Sequence, residues 1–416
     1  MAKGNTNEIR VNGRSYRKPA VPTVVICFDG CDPRYITHGV SAGLFPNISR
    51  LMSDGFYAIA DAVMPTFTNP NNMSIVAGAP PAVHGISGNY YLDKATGKEV
   101  MITDASLVSS GTVLAALADA GVRVAAITAK DKLRKMLGSG LKGICFSSER
   151  ARDASREENG IDGIEKLVGR PTPDMYNPDL SLFVLDAGIK LLETRQSDVL
   201  YLSLSDMVQH SAAPGDELAN TFNSDVDRRV GKLLELGAIV GIVADHGMTD
   251  KCGSDGQPQV VYLETVLNEQ FGAGSVRVIC PITDPFVKHH GALGSFVRVY
   301  AAGAVSADVL MDAAARIPGI GLVLDGTSAA ARYEMPIERE GDFIAVGDTH
   351  TAIGSRPDEH DLTGLNGHRL RSHGGLSEQP VPFMLSRPLN ADYRAIANSR
   401  RLRNFDIFEF ALNGAA

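Results

Sequence analysis

Four times along this 416-residue chain an apolar run gives way to side chains that can bind a cation or move a proton. Val21–Phe28 ends at Asp29-Gly30, and Val122–Thr128 leads to Lys130, Asp131 and Lys132. Asp198–Ser205 leads to Asp206 and His210, and Ala238–Ala244 to the dipeptide Asp245-His246. A later imidazole, His373, sits in the glycine-flanked turn RSHGG, where the backbone can come close to a ligand. Carboxylate oxygen and imidazole nitrogen are the donors that zinc accepts, usually four around each ion. Asp206 and His210 are four residues apart, so a helix starting just after the strand would project both from one face. Asp245 and His246 are adjacent at a strand-to-loop turn and can point in different directions, serving two ions or one. Each piece alone has an ordinary explanation: a surface pair, a turn, a helix cap. Their repetition at successive strand ends is what implies a single site.

A nucleophile can be read from the segment MPTFTNPNNMSIVAG, Met64–Gly78, which is polar at first and then helix-like. Thr68 lies just before the expected helix N-terminus, where unpaired N–H groups and the helix dipole favour an anion such as a phosphoryl group. A threonine hydroxyl attacks poorly unless deprotonated, and metal coordination achieves that. The bland alternative is that Thr68, or Thr66, only caps the helix.

The elements that must position these residues are continuous Val/Ile/Leu runs separated by helical stretches, such as the one near Gly111–Ala120. That pattern implies an α/β fold with a mainly parallel sheet covered on both faces. Ligands in such sheets bind outside the carboxyl ends of the strands. From Lys251 to His368 the texture changes to Gly, Pro and short β-like runs: Phe296–Tyr300, Gly321–Leu324 and Phe343–Val346. Residues 251–368 therefore read as an inserted smaller cap, and residues 1–250 and 369–416 as the core, to which Arg371–Leu385 returns.

Composition narrows the function classes. Hydrophobic residues are 44%, charged residues 21% and net charge -8, so no basic surface for nucleic acid is evident. The expected partner is a small anionic phosphonate or phosphate held at a locally positive site, with a homodimer allowed. No segment has the ~20 apolar residues of a membrane span, and the N-terminus lacks a signal-like apolar core. The five widely spaced cysteines read as buried free thiols in a reducing, cytoplasmic setting.

Taken together, Asp29 after a strand, TFTNPNNMSIVAG, HGISGN, Asp206-x-x-x-His210, Asp245-His246-Gly247-Met248 and the late His373 resemble the alkaline phosphatase superfamily. The nearest branch is that of the nucleotide pyrophosphatase/phosphodiesterases. Within it, MPTFTNPNNMSIVAGAPPAVHGISGNYY is similar to the enzymes that hydrolyse phosphonoacetate. The resemblance covers about Val21–Asn89, Tyr201–Thr249 and the surroundings of His373, and no cap motif supports it. It implies an alkaline phosphatase-like core holding two zinc ions, although the same donors accept Mn2+, Fe2+ or Co2+. One ion would be held by Asp206, His210 and His373. The other would be held by Asp29, Asp245 and His246, with Thr68 alongside. Asn89 would hydrogen-bond a phosphoryl oxygen; otherwise it is a turn residue in Ser-Gly-Asn.

The implied reaction is attack of Thr68 on phosphorus, a phosphothreonine intermediate, and release of acetate and phosphate. The acetate leaves as an enediolate whose carboxylate needs cations. Lys130 and Lys132, two apart on an extended segment, would face it together, unless they are merely solvated. His289 and His290 in the cap could close over the site. Three competing readings stay open. A phosphodiesterase or nucleotide pyrophosphatase would want an aromatic slot for a base, which the absence of Trp disfavours. A phosphoglycerate mutase-like transferase would use serine. A non-catalytic, metal-stabilised binding protein would need no nucleophile.

Overall fold

The computed structural model describes residues 8–102, 105–175, 177–283, 290–365 and 367–416. Its centre is a seven-stranded sheet. In spatial order the strands are Phe56–Asp61, Pro380–Leu385, Ile239–Val243, Thr23–Cys27, Val199–Ser203, Val124–Thr128 and Ile144–Ser147. The last five run parallel. Every residue of Thr23–Cys27, Val124–Thr128 and Val199–Ser203 is buried. Because successive side chains alternate between faces, complete burial means that both faces are covered. That is why these strands are written as unbroken Val, Ile, Leu and Ala.

Register does the positioning. Cys27 pairs with Ser203 on one side and with Val243 on the other, and Ser203 pairs with Thr128. Four strands thus stop level, and the residues just beyond them emerge along one rim. The sheet departs from the expected pattern at Pro380–Leu385, which is antiparallel to both of its neighbours. An apolar run carries no sign of strand direction. Neither Phe56–Asp61 nor Ile144–Ser147 was expected: both are edge strands, and the second has only four residues.

A second, antiparallel sheet is built from Val276–Ile279, Phe296–Ala301, Phe343–Gly347 and Ile320–Asp325. It has its own apolar core, with Leu263, Val278, Phe296, Val299 and Phe343 among the buried side chains. Met64 and Phe67 join that core. The Phe67 ring meets Phe296 edge-on at 6.3 Å and His373 at 5.6 Å. The residue preceding Thr68 is therefore anchored between the two units; truncating so buried an aromatic costs about 3–5 kcal/mol. Gly374 makes room for it: at φ +116, a Cβ there would sit 2.5 Å from the Phe67 ring.

Thr249–Asp250 pairs antiparallel with Arg371–Ser372. The chain leaving Asp245-His246 is thereby zipped to the chain arriving at His373. Among the described residues no helix is long and apolar enough to cross a membrane.

Candidate active site

The rim gathers two groups of potential metal ligands. Donor atoms of Asp206, His210 and His373 lie within 4.8 Å of one another, as do those of Asp29, Asp245 and His246. A short helix, Met207–Ser211, begins directly after Asp206, so the four-residue spacing does put Asp206 and His210 on one face. His210 Nε2 lies 2.9 Å from Asp206 Oδ2, and His373 Nε2 lies 3.7 Å from the same oxygen. In the other group His246 Nε2 is 3.3 Å from Asp29 Oδ1 and 3.6 Å from Asp245 Oδ2. The groups adjoin: the rings of His246 and His373 stack with centroids 3.6 Å apart.

Backbone carbonyls fix which imidazole nitrogen faces the centre. Nδ1 of His210 lies 2.8 Å from Arg371 O, that of His246 2.8 Å from Gly247 O, and that of His373 2.8 Å from Thr66 O. A carbonyl only accepts, so each Nδ1 carries the proton and each Nε2 presents a lone pair. Lone pairs aimed at carboxylates are reconciled by a cation between them. Asp29 makes the same point. Both of its oxygens are buried with no hydrogen-bond donor among the described residues. Burial, then repulsion from Asp206 and Asp245, pushes its pKa well above the ordinary carboxylate range. These residues fit a metal centre.

Asp245, by contrast, is fully dressed. Its Oδ1 accepts from the N–H groups of Gly30 and His246, and its Oδ2 from Asn72. Asn72 also donates to Thr68 O at 3.1 Å, and its own oxygen accepts from Tyr201 at 2.6 Å and Ser203 at 2.9 Å. Asn72 therefore ties the Thr68 helix to Asp245. Reading the sequence for donors missed it; its signal was its place one helical turn after Thr68.

Thr68 is the first residue of the buried helix Thr68–Ala77. The residue before the helix is Phe67, and no side chain caps it, which leaves first-turn N–H groups for an anion. Thr66 does not cap it either: its hydroxyl donates to Gly375 O at 2.8 Å and accepts from Gly374 N at 3.0 Å. Thr68 Oγ1 lies 3.3 Å from His246 Nε2, at the edge of the ligand group.

Lys130 Nζ donates to Asp206 Oδ1 at 3.0 Å, with 39% of its side chain exposed. Burial would lower the ammonium's pKa, but Asp206 and Asp29 outweigh it and the net shift is upward, so it stays charged. The expectation of an extended segment is corrected here. A helix starts at Asp131 with Lys130 extended just before it, so Lys132 lies in the first helical turn and the two lysines do not share one extended segment. Asn89 Oδ1 accepts from Asn69 Nδ2 at 2.5 Å, and its Nδ2 donates to Ile282 O at 3.3 Å. His290 is buried and stacks on His210 with centroids 4.5 Å apart. His289 lies outside the described residues.

An alkaline phosphatase-like α/β sheet with two adjoining Asp/His groups defines a metal-dependent hydrolase. Residues 23–356 match the type I phosphodiesterase / nucleotide pyrophosphatase family, and the chain belongs to that family. It is similar to phosphonoacetate hydrolase from Sinorhizobium meliloti, whose crystal structures hold phosphonoacetate or phosphonoformate. Identity is 45%, with 98% of this chain and 99% of that chain covered and a TM-score of 0.93. A 53-residue stretch, 12% of this chain and 74% of the relative, is 55% identical to phosphonoacetate hydrolase from Penicillium oxalicum. Murine ectonucleotide pyrophosphatase / phosphodiesterase 5 shares the fold at 18% identity, with a TM-score of 0.62 over 94% of this chain and 93% of that one.

Proposed function

We propose that the chain hydrolyses the carbon–phosphorus bond of phosphonoacetate, giving acetate and phosphate through a phosphothreonine. The observation that carries this is near full-length similarity to an enzyme named for that substrate, joined to a threonine at the edge of buried Asp/His groups. Asp206, His210 and His373 would hold one zinc ion and Asp29, Asp245 and His246 a second, supplying Lewis-acid stabilisation of charge and easier ionisation of a hydroxyl.

The chain's own residues do the rest. Thr68 Oγ1 gives its proton to water and attacks phosphorus in line; the P–O bond forms as the P–C bond breaks. The electron pair of the broken bond passes into the acetate carboxylate as an enediolate, which takes a proton from water. A second water then cleaves the phosphothreonine, releasing phosphate and regenerating the hydroxyl. The first-turn N–H groups and the Asn89 amide hold phosphoryl oxygens as charge develops. Lys130, extended just before the helix that begins at Asp131, is a cation for the departing carboxylate, and Lys132, in the first turn of that helix, adds positive charge nearby. His290, stacked on His210, shields that side from water, with His289 beside it in sequence. Five buried free cysteines support a reducing, cytoplasmic setting.

The test is phosphate release from phosphonoacetate, an alkyl phosphonate and a phosphodiester, side by side. Phosphonoacetate should be turned over at least about tenfold faster than either. A preference for the diester would overturn the reading in favour of a phosphodiesterase. Lys130→Ala should depress phosphonoacetate turnover more than that of nitrophenyl phosphate; equal losses would remove the carboxylate-binding role.

A further inference from the structure

The chain places a completely buried guanidinium behind the segment that carries Asn89. Arg298 comes from the Phe296–Ala301 strand of the second sheet. Its Nε and Nη2 donate to Glu340 at 2.9 and 2.6 Å, and both side chains are fully buried. Arg298 Nη2 also donates, at 3.0 Å each, to the carbonyl and the hydroxyl of Ser87. A buried ion pair is seldom the cheapest way to fill a core, since apolar residues of equal volume often serve as well. What an apolar pair could not supply here is the grip on Ser87.

Ser87-Gly88-Asn89 is clamped to the second unit at every residue. Gly88 has φ +154, and a Cβ there would lie 2.6 Å from Pro281 Cβ. Asn89 N donates to Pro281 O at 2.6 Å. The side chain follows. Ile282 O only accepts, so it dictates that Nδ2 of Asn89 faces it. That turns Oδ1 toward Asn69, whose own amide must then donate. One N–H of Asn89 remains for a phosphoryl oxygen. The hairpin that follows, Tyr90–Asp93 with Lys98–Met101, is tied to the segment leading into the Phe343–Gly347 strand: Arg339 stands over Tyr91 at 5.3 Å, and Lys94 pairs with Asp342 at 3.1 Å.

We infer that the Arg298–Glu340 pair is a positioning device for Asn89, so that the second sheet sets the aim of the phosphoryl-binding amide. The inference rests on the reading of Asn89 as that donor. Donors of this kind lose much of their effect when displaced by a fraction of an ångström to one ångström.

A double-mutant cycle tests it with Arg298→Met, Asn89→Ala and the pair, reading kcat and KM for phosphonoacetate in the metal-loaded enzyme after circular dichroism has confirmed folding. Asn89→Ala should lower kcat by about 10²-fold, and Arg298→Met by about tenfold with a smaller change in KM. In the Asn89→Ala background, Arg298→Met should change kcat less than about twofold. An equal fold-loss in both backgrounds would show that Arg298 acts on the fold and not through Asn89. An unchanged kcat in Asn89→Ala alone would instead remove the donor reading, and the positioning role with it. Should Arg298→Met not fold, Ser87→Ala enters the same cycle. It deletes only the hydroxyl contact with Arg298, and is expected to lower kcat about threefold with, and not without, Asn89.

Discussion

Buried charge is handled in opposite ways in two parts of this molecule. Away from the rim, two buried charges meet an opposite charge. Arg298 meets Glu340, and Lys251 meets Glu378 at 2.9 Å, all four side chains fully buried. Glu378 also accepts from Thr249 Oγ1 and from Gly375 N. Lys251 also donates to Thr349 O at 3.0 Å. At the rim of the seven-stranded sheet, by contrast, Asp29 has no hydrogen-bond donor among the described residues. Asp29, Asp206 and Asp245 crowd together there, with Lys130 the cation that the described residues bring against Asp206. A chain able to neutralise buried charge in two places leaves it open in a third. An isolated buried carboxylate costs several kcal/mol, so the opening is where cations belong.

The strongest way to break this contrast is to remove the metal. Exhaustive chelation should abolish phosphonoacetate turnover, by at least about 10³-fold, and lower the melting temperature; zinc should restore both. Full activity in metal-free protein would end the two-ion reading. Next in size, Thr68→Ala should cost about 10³-fold or more in kcat while the metal content stays the same. Intact-mass spectra of quenched reactions should show no phosphorylated protein in that variant. An adduct that persists would exclude Thr68 as the nucleophile.

A third prediction sharpens the contrast by sign. In metal-free protein, Asp29→Asn should raise stability by about 1–3 kcal/mol, because it replaces a carboxyl that folding must either bury charged or protonate. Glu340→Gln should lower stability by about 3–5 kcal/mol, because it strands Arg298. Urea denaturation reads both. Losses of the same sign at both positions would mean that the two regions do not differ as described.

Much of the site was legible because it rests on strand ends. The runs at Val21–Phe28, Val122–Thr128, Asp198–Ser205 and Ala238–Ala244 contain the strands Thr23–Cys27, Val124–Thr128, Val199–Ser203 and Ile239–Val243. Whatever follows a parallel strand comes out at one edge, so Asp29, Lys130, Asp206 and Asp245 could be grouped from order alone. The direction of Pro380–Leu385 could not, because pairing partners so distant in sequence leave no local trace. The geometry of Lys132 was misjudged because Asp131 starts a helix at once, with Arg134 and Ser147 holding its carboxylate at 2.7 and 2.9 Å. Asn72 and Arg298 stayed hidden for a different reason. Their roles exist only through partners brought from elsewhere in the chain: Tyr201 and Asp245 for one, Ser87 and Glu340 for the other.

The smallest expected effect comes from a third buried carboxylate, Asp406, which belongs to the compensated kind. Its side chain is fully buried, with Arg14 at 2.8 Å and Arg400 at 2.7 Å, and it accepts from Arg403 N at 2.8 Å. Burial alone would raise its pKa. The hydrogen bond from Arg400 and the charge of Arg14 outweigh burial and hold it below the ordinary value of 3.8, the opposite direction from Asp29. A carboxylate depressed in the folded state adds stability above its unfolded pKa, and loses it as pH falls through the folded value. Asp406→Asn should therefore cost about 2 kcal/mol at neutral pH, with the deficit closing as the pH drops below 3.8. The turn Asn404–Asp406 presses on the back of the Thr68 helix, where Asn404 Nδ2 donates to Asn71 Oδ1 at 2.9 Å. The partners of Asp406 are arginines outside the two ligand groups, so kcat of the folded variant should stay within about twofold. Chemical denaturation from pH 7 to 3, run beside wild type, decides the matter. A deficit of constant size across that range would show that Asp406 contributes by packing and not by charge, and would take it out of the comparison.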